Sequence, residues 1–168
     1  VSVPLGLVPD DGARLASALA KAAPDVDLLV SSGGVSVGER DPVADAFTQE
    51  GGVELLEVAM QPGKPQAFGS VGARPYFGLP GNPVSVFVSF EMFVRPVLRR
   101  MQALEPLHRP TVRAVLKDAV TSPAGKRQFL RGDLGVEDGR YVVGTVGGPG
   151  SHLLAGLANA NCLIVVPE

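Results

Sequence analysis

Apolar positions Leu15, Leu19 and Ala22 fall on one face of a helical wheel, which predicts a helix over about residues 11–23. Asp10 or Asp11 can cap it, and Pro24 stops it. The short run Val26–Ser31 has the character of a strand buried on both faces, and it leads directly into the glycine-rich segment Ser31–Gly38. Asp41-Pro42 opens a second helix, with a cap followed by proline at the first helical position, and Gly51-Gly52 closes it. Val53–Met60, Ala67-Phe68 and Pro75–Leu79 read as strands. A third helix begins with Asn82 as cap and Pro83 as first residue. It is apolar almost all round through Val94, which predicts burial, and Pro96 should kink it.

This alternation of helix and strand to about residue 104 predicts an α/β layer with a mainly parallel sheet and flanking helices. Beyond Leu104 the pattern changes. Thr111–Val120, Arg127–Gly132, Tyr141–Val146 and Cys162–Val166 are strand-like, are separated by Gly, Pro and Asp-Gly turns, and show no helical periodicity. The expectation is an α/β domain over residues 1–106 joined to a small all-β, barrel-like module over residues 107–168.

Composition narrows the chemistry. The 168 residues hold one cysteine, which excludes an internal disulfide and any multi-cysteine metal site. Cys162 itself reads as a buried strand thiol. The longest apolar run, Val84–Val94, contains Glu91 and is far shorter than a membrane helix, so no membrane partner is expected. The start, Val-Ser-Val-Pro-Leu, lacks an initiator Met and a basic leader, so an internal start is expected. A cytoplasmic location is expected. Residues 1–57 carry ten acids and three bases, and residues 58–168 carry seven acids and twelve bases. The basic part has no run of like charge and no aromatic platform, which argues against nucleic acid and leaves room for a localised anion. Arg95, Arg99 and Arg100 cluster near a helix end, where the dipole favours cations in any case.

Three loops could carry chemistry. Ser31–Gly38 places three glycines between a strand and a helix, where backbone N–H groups can approach an anion. It matches neither a phosphate P-loop nor the dinucleotide fingerprint, and a tight turn without ligand explains it equally well. Leu79-Pro80-Gly81-Asn82-Pro83 also joins a strand to a helix and, taken alone, reads as a rigid turn with a cap. Two such loops in one sheet raise the case for a shared anion pocket. The third, Gln61-Pro62-Gly63-Lys64-Pro65, holds a lysine between prolines, where little further entropy is lost on binding an oxyanion. Asp41 and Asp45 share one helical face and could hold magnesium through its waters, although capping and dipole stabilisation account for both. Ser151-His152 lacks a nucleophile elbow and gives no sign of a hydrolase.

As a set, Ser-Ser-Gly-Gly-Val-Ser-Val-Gly-Glu-Arg-Asp (31–41), Val-Ala-Met-Gln-Pro-Gly-Lys-Pro (58–65), Gly-Leu-Pro-Gly-Asn-Pro-Val-Ser (78–85) and Gly-Ser-His (150–152) closely resemble the molybdopterin molybdenumtransferase family, that of bacterial MoeA and the gephyrin E domain. The resemblance implies an enzyme of molybdenum cofactor biosynthesis. Its substrates would be adenylylated molybdopterin (molybdopterin-AMP) and molybdate, with release of AMP assisted by Mg2+. It further implies Asp41 as a metal or catalytic carboxylate and Lys64 as a catalytic cationic contact. Gly33, Gly34 and Ser36 would be ligand-loop residues, and Pro80, Gly81 and Asn82 a pocket wall. Arg131 in Gln-Phe-Leu-Arg-Gly and Ser151 in Gly-Ser-His match positions that reach an anion site in the family.

Glu57 and Gln61 stand where the family often has lysine, which removes positive charge near the molybdate position. Family members carry further amino-terminal domains and form homodimers that share a site, so this chain is expected to be a fragment holding half of one. Competing readings are the related adenylyltransferase, against which residues 107–168 argue, a gephyrin-like scaffold that binds an apolar peptide, and a domain without retained activity.

Overall fold

The computed structural model describes residues 1–35, 42–47, 52–148 and 154–168. They form two compact units: Val1–Val58 with Pro65–Gly81, and Ala59–Lys64 with Asn82–Glu168.

In the first unit, α1 (Gly12–Ala22) starts at Asp11, whose carboxylate accepts the Arg14 N–H at 2.9 Å. Asp11 rather than Asp10 is therefore the cap. Pro24 does not stop the chain at once, since a single 3-10 turn, Ala23–Asp25, follows the helix. Gly12 lets the start of α1 approach α2 (Pro42–Phe47): a Cβ there would lie 2.7 Å from the Ala46 nitrogen. Asp41, the expected cap of α2, lies outside the described residues, as do residues 48–51.

The sheet of this unit has the order β1 (Leu29–Ser32), β5 (Arg74–Leu79), β4 (Pro65–Val71), β2 (Val53–Glu57). The α/β class holds, but the sheet is mixed rather than mainly parallel. β1 and β5 are parallel, whereas β5–β4 and β4–β2 are antiparallel. The physical reason is chain length. A parallel pair needs a crossover of about a dozen residues or more, and β4 and β5 are joined only by Gly72-Ala73, with Gly72 at φ +59°. The two helices cover one face of the sheet. There Leu15, Leu19, Val43 and Phe47 pack with Leu29, Val35 and Tyr76, and the Phe47 and Tyr76 rings stand 5.3 Å apart. On the opposite face Val30 is 42% and Phe68 47% exposed, so β1 is not buried on both faces as its apolar run suggests.

The second unit is built on β7 (Arg127–Glu137), an eleven-residue strand. Its first half pairs with β9 (Cys162–Val166) and briefly, in parallel, with β3 (Met60–Gln61). Its second half pairs with β8 (Arg140–Thr145), which carries the two-residue β6 (Val115–Leu116) on its other edge. Gly132 marks the point where these partners change, and a Cβ there would come within 2.8 Å of Cys162 Sγ. The Asp138-Gly139 turn joins β7 to β8 with both residues at positive φ, +49° and +74°. The module is not wholly β: Leu154–Ala158 form a helix, α5, too short to impose a helical period on the sequence. Of the strand expected over Thr111–Val120, only Val115–Leu116 pair.

The long apolar helix is broken into α3 (Pro83–Ser89), a π-helical turn over Phe90–Val94 and α4 (Arg95–Met101). The π turn stands immediately before Pro96, which has no N–H to give the ladder, so the predicted irregularity appears as a widened turn. Val84, Ser85, Val88, Ser89 and Val94 are buried, while Phe87 is exposed, so burial is one-sided.

The arginines near the end of α4 have structural work. Arg95 donates to the Leu107 carbonyl at 2.8 Å, and Arg99 donates to the carbonyls of Pro106 (2.7 Å) and Glu105 (3.1 Å). Glu91 accepts two hydrogen bonds from Arg109, both at 3.0 Å, and stands 3.7 Å from Arg95. The hydrogen bonds from Arg109, opposed by partial burial, hold the Glu91 carboxyl below its usual pKa. These contacts fasten the segment after α4 back onto the helix.

Candidate functional site

The parallel register of β1 and β5 sets Ser31 opposite Gly78 and Ser32 opposite Leu79, so both strands deliver their following loops at the same edge of the sheet. The loops then meet. The Gly33 N–H donates to the Leu79 carbonyl at 3.0 Å, and a Cβ on Gly81 would stand 3.4 Å from Gly33 Cα. Gly33 and Gly34 adopt φ +86° and +71°, a left-handed conformation that residues with a Cβ rarely take. Gly34 is tied to the next helix, its carbonyl accepting the Val43 N–H at 3.3 Å. Pro80 is buried, and Gly81 is exposed beside Gly33.

A floor that sequence reasoning missed lies beneath this edge. Tyr76 is 0% exposed, and its hydroxyl is 2.7 Å from Ser31 Oγ. A Cβ on Gly78 would lie 2.9 Å from Ala67 Cβ, 3.0 Å from the Tyr76 hydroxyl and 3.1 Å from Val35 Cγ2. Gly78 thus lets the loop containing Val35 settle onto the sheet. Its one signal in sequence is a glycine inside a strand pattern, which marks close approach.

In the second unit, Asn82 occupies the cap position of α3. Its backbone carbonyl accepts the Val86 N–H at 2.9 Å, but its side chain makes no capping hydrogen bond. The cap assignment holds for the backbone and fails for the amide. Lys64 is half-buried, between Gly63 at φ +101° and Pro65. Gln61 is exposed, as is Glu57 of the first unit. Arg131 is 5% exposed, and its guanidinium donates to the Gly148 carbonyl. It lines a cavity of about 280 Å³ within this unit, together with Thr121, Gln128 and Thr145. Ser36, Asp41 and Ser151 lie outside the described residues.

Cys162 is half-buried in β9, and burial pushes its thiol pKa up. That holds the thiol protonated, as expected of a strand cysteine without nucleophilic duty. Among the described residues, no cluster of three His, Cys, Asp or Glu side chains could hold a metal, and no helix is long and apolar enough to cross a membrane.

With this geometry in hand, comparison with known proteins assigns the class. The family model described as "Probable molybdopterin binding domain" matches residues 2–100, and that described as "MoeA C-terminal region (domain IV)" matches residues 113–168. The chain belongs to the MoeA/gephyrin family of molybdopterin-binding proteins. It is 47% identical over 165 residues to molybdopterin molybdenumtransferase 2 of Mycobacterium tuberculosis, covering 95% of this chain and 40% of the relative. It is 36% identical over 168 residues to the molybdopterin molybdenumtransferase of Haemophilus influenzae, covering 99% and 42%. Among solved structures, the molybdopterin biosynthesis MoeA protein of Pyrococcus horikoshii superposes with a TM-score of 0.75 at 31% identity, over 98% of this chain and 39% of that one. The chain spans about two fifths of the length of the curated relatives it matches.

Proposed function

We propose that the chain is part of a molybdenum cofactor biosynthesis transferase that inserts molybdate into adenylylated molybdopterin with release of AMP. The observation that carries this reading is the meeting of Gly33 and Gly81 at one sheet edge, which makes a backbone-lined cradle without side chains. Such an edge, at the carboxyl ends of parallel strands, suits a phosphate-bearing ligand. In this reading a molybdopterin-binding α/β domain spans residues 1–106 and a carboxy-terminal β domain spans 107–168; the family matches over residues 2–100 and 113–168 support two such parts. The latter match favours metal insertion over the adenylyltransferase reading.

In this reading Gly33, Gly34, Ser36, Pro80 and Gly81 position the pyrophosphate and pterin by backbone contact and by excluding water. The free Asn82 amide can donate to or accept from the ligand. Lys64, Arg131 and Ser151 attract molybdate and stabilise charge during transfer. Asp41, with Asp45 four residues on in sequence, would be the hard-oxygen donors for Mg2+ and its waters. An ion held there would offset pyrophosphate charge and so make AMP a better leaving group. The complete enzyme is a cytoplasmic homodimer in this proposal.

The test uses the full-length parent, adenylylated molybdopterin, molybdate and Mg2+, with AMP release as readout. Asp41→Asn should lower turnover at least about 100-fold, the scale of losing one preorganised charge in a reacting site. Unchanged turnover would remove Asp41 from the mechanism.

A further inference from the structure

Arg131 is a buried cation, and a guanidinium can stay buried only with its donors engaged and its place fixed. In the second unit much of that support is backbone. The Val146 N–H donates to the Arg131 carbonyl at 2.9 Å, and two residues on the Gly148 carbonyl accepts from the guanidinium. Gly147, between them, stands at φ +70°, a left-handed conformation that lets one turn reach both ends of the same arginine. Gly156 of α5 stands against the guanidinium as well. A Cβ there would lie 3.5 Å from Arg131 Nε, 3.6 Å from its Cζ and 3.5 Å from the Val146 carbonyl oxygen. The two glycines also meet, since a Cβ on Gly147 would be 3.6 Å from Gly156 Cα. α5 is itself anchored. It packs against α3, and just past its end the Asn161 N–H donates to the carbonyl of Gly132, the neighbour of Arg131 in β7.

Propensity and space point apart at Gly156. Glycine is among the poorest helix formers, so stability alone favours alanine there, and the distances leave room for one methyl group in ordinary contact. Anything larger must take volume that the guanidinium and the Val146 carbonyl already hold. Size at position 156 therefore acts on Arg131 first.

We infer that Gly156 is a positioning residue for Arg131: with the turn at residues 146–148 it forms a backbone vice that holds the guanidinium at the cavity it lines. This deepens the proposed function and rests on it in one respect, that the anion Arg131 meets is molybdate.

The experiment compares Gly156→Ala with Gly156→Val by two readouts. The first is solvent exchange of the Arg131 Nε–H in the chain, its NMR signal identified by loss in Arg131→Lys. Exchange should be at least about tenfold faster in Gly156→Val, the scale of one hydrogen bond, and near the wild-type rate in Gly156→Ala. Backbone amides of the β7–β8 hairpin should keep their rates in both, which a general loss of stability would not allow. The second readout is AMP release by the full-length parent. Gly156→Val should raise the KM for molybdate about tenfold and leave that for adenylylated molybdopterin unchanged, whereas Gly156→Ala should match wild type with a Tm at or above it. In an Arg131→Lys background, Gly156→Val should add no further rise, because both changes act through one guanidinium. If Gly156→Val does not fold, Gly156→Ser, with a single atom beyond Cβ, takes its place under the same readings. Unchanged Nε–H exchange, hairpin amides accelerated to the same degree, equal damage by alanine, or the same KM rise in both backgrounds overturns the inference. Faster Nε–H exchange with an unchanged molybdate KM, or with no AMP release from the wild-type parent, upholds the vice and counts against the proposed role of Arg131 or the proposed reaction instead.

Discussion

The sheet edge of the first unit and the cavity of the second are built from different materials. At the edge, Gly33, Gly34, Gly78 and Gly81 act through what they lack: three allow close approach or positive φ, and the fourth opens space for Val35. In the cavity, Arg131 acts through a side chain carried into the interior by β7, where its guanidinium donates to the Gly148 carbonyl. A backbone-built site fails when atoms are added. A side-chain-built one fails when they are removed. The two should therefore respond oppositely to substitution.

The largest effect should come from filling the floor. Gly78→Val places carbon atoms where Ala67, Tyr76 and Val35 already stand, and should cost about 2–3 kcal/mol of stability in urea unfolding. A loss below about 0.5 kcal/mol would show that the floor gives way and would break the contrast. Next, Arg131→Met keeps a long apolar stem but leaves the Gly148 carbonyl without its guanidinium donor. A loss of about 1–3 kcal/mol is expected, together with weaker molybdate retention on equilibrium dialysis.

Glu91→Gln probes the side-chain clamp further. The Glu91 pKa lies below its ordinary value of 4.5, chiefly because of the Arg109 hydrogen bonds. The ionised form therefore contributes stability that is complete above the ordinary value and is lost as pH falls through the depressed one. The wild type should lose about 1 kcal/mol relative to the variant at neutral pH as the solution is taken well below pH 4.5, and the stability curves should converge there. Parallel curves would exclude the clamp as a source of acid sensitivity. The smallest effect should be Asp11→Ala, about 0.5–1 kcal/mol from loss of the cap bond to Arg14, read as a small drop in denaturation midpoint.

Much of this was legible in the residues because it is local. Asp11 before an amphipathic run, Asp138-Gly139 between two alternating segments, and Pro83 after Asn82 each act within a few residues, and each lies where the pattern predicts. The family motifs were legible for the same reason, since glycines at strand ends carry their meaning in sequence. Gly156 was visible in Leu-Ala-Gly-Leu-Ala yet carried no signal, because standing against the Arg131 guanidinium is a property of the surroundings.

The arginines of α4 show the limit from the other side. Their clustering near a helix end reads as cations favoured by the dipole, but the chain folds back so that Arg95 and Arg99 bond to the carbonyls of residues 105–107. Local chemistry thus determined the helices, the turns, the capping positions and the glycines that can approach a ligand. Which strands run antiparallel, which loops touch and which polar atoms are left unpaired were decided only by tertiary contact. Those outcomes depend on residues tens of positions apart competing for the same space and the same hydrogen bonds, a competition that no local run of residues records.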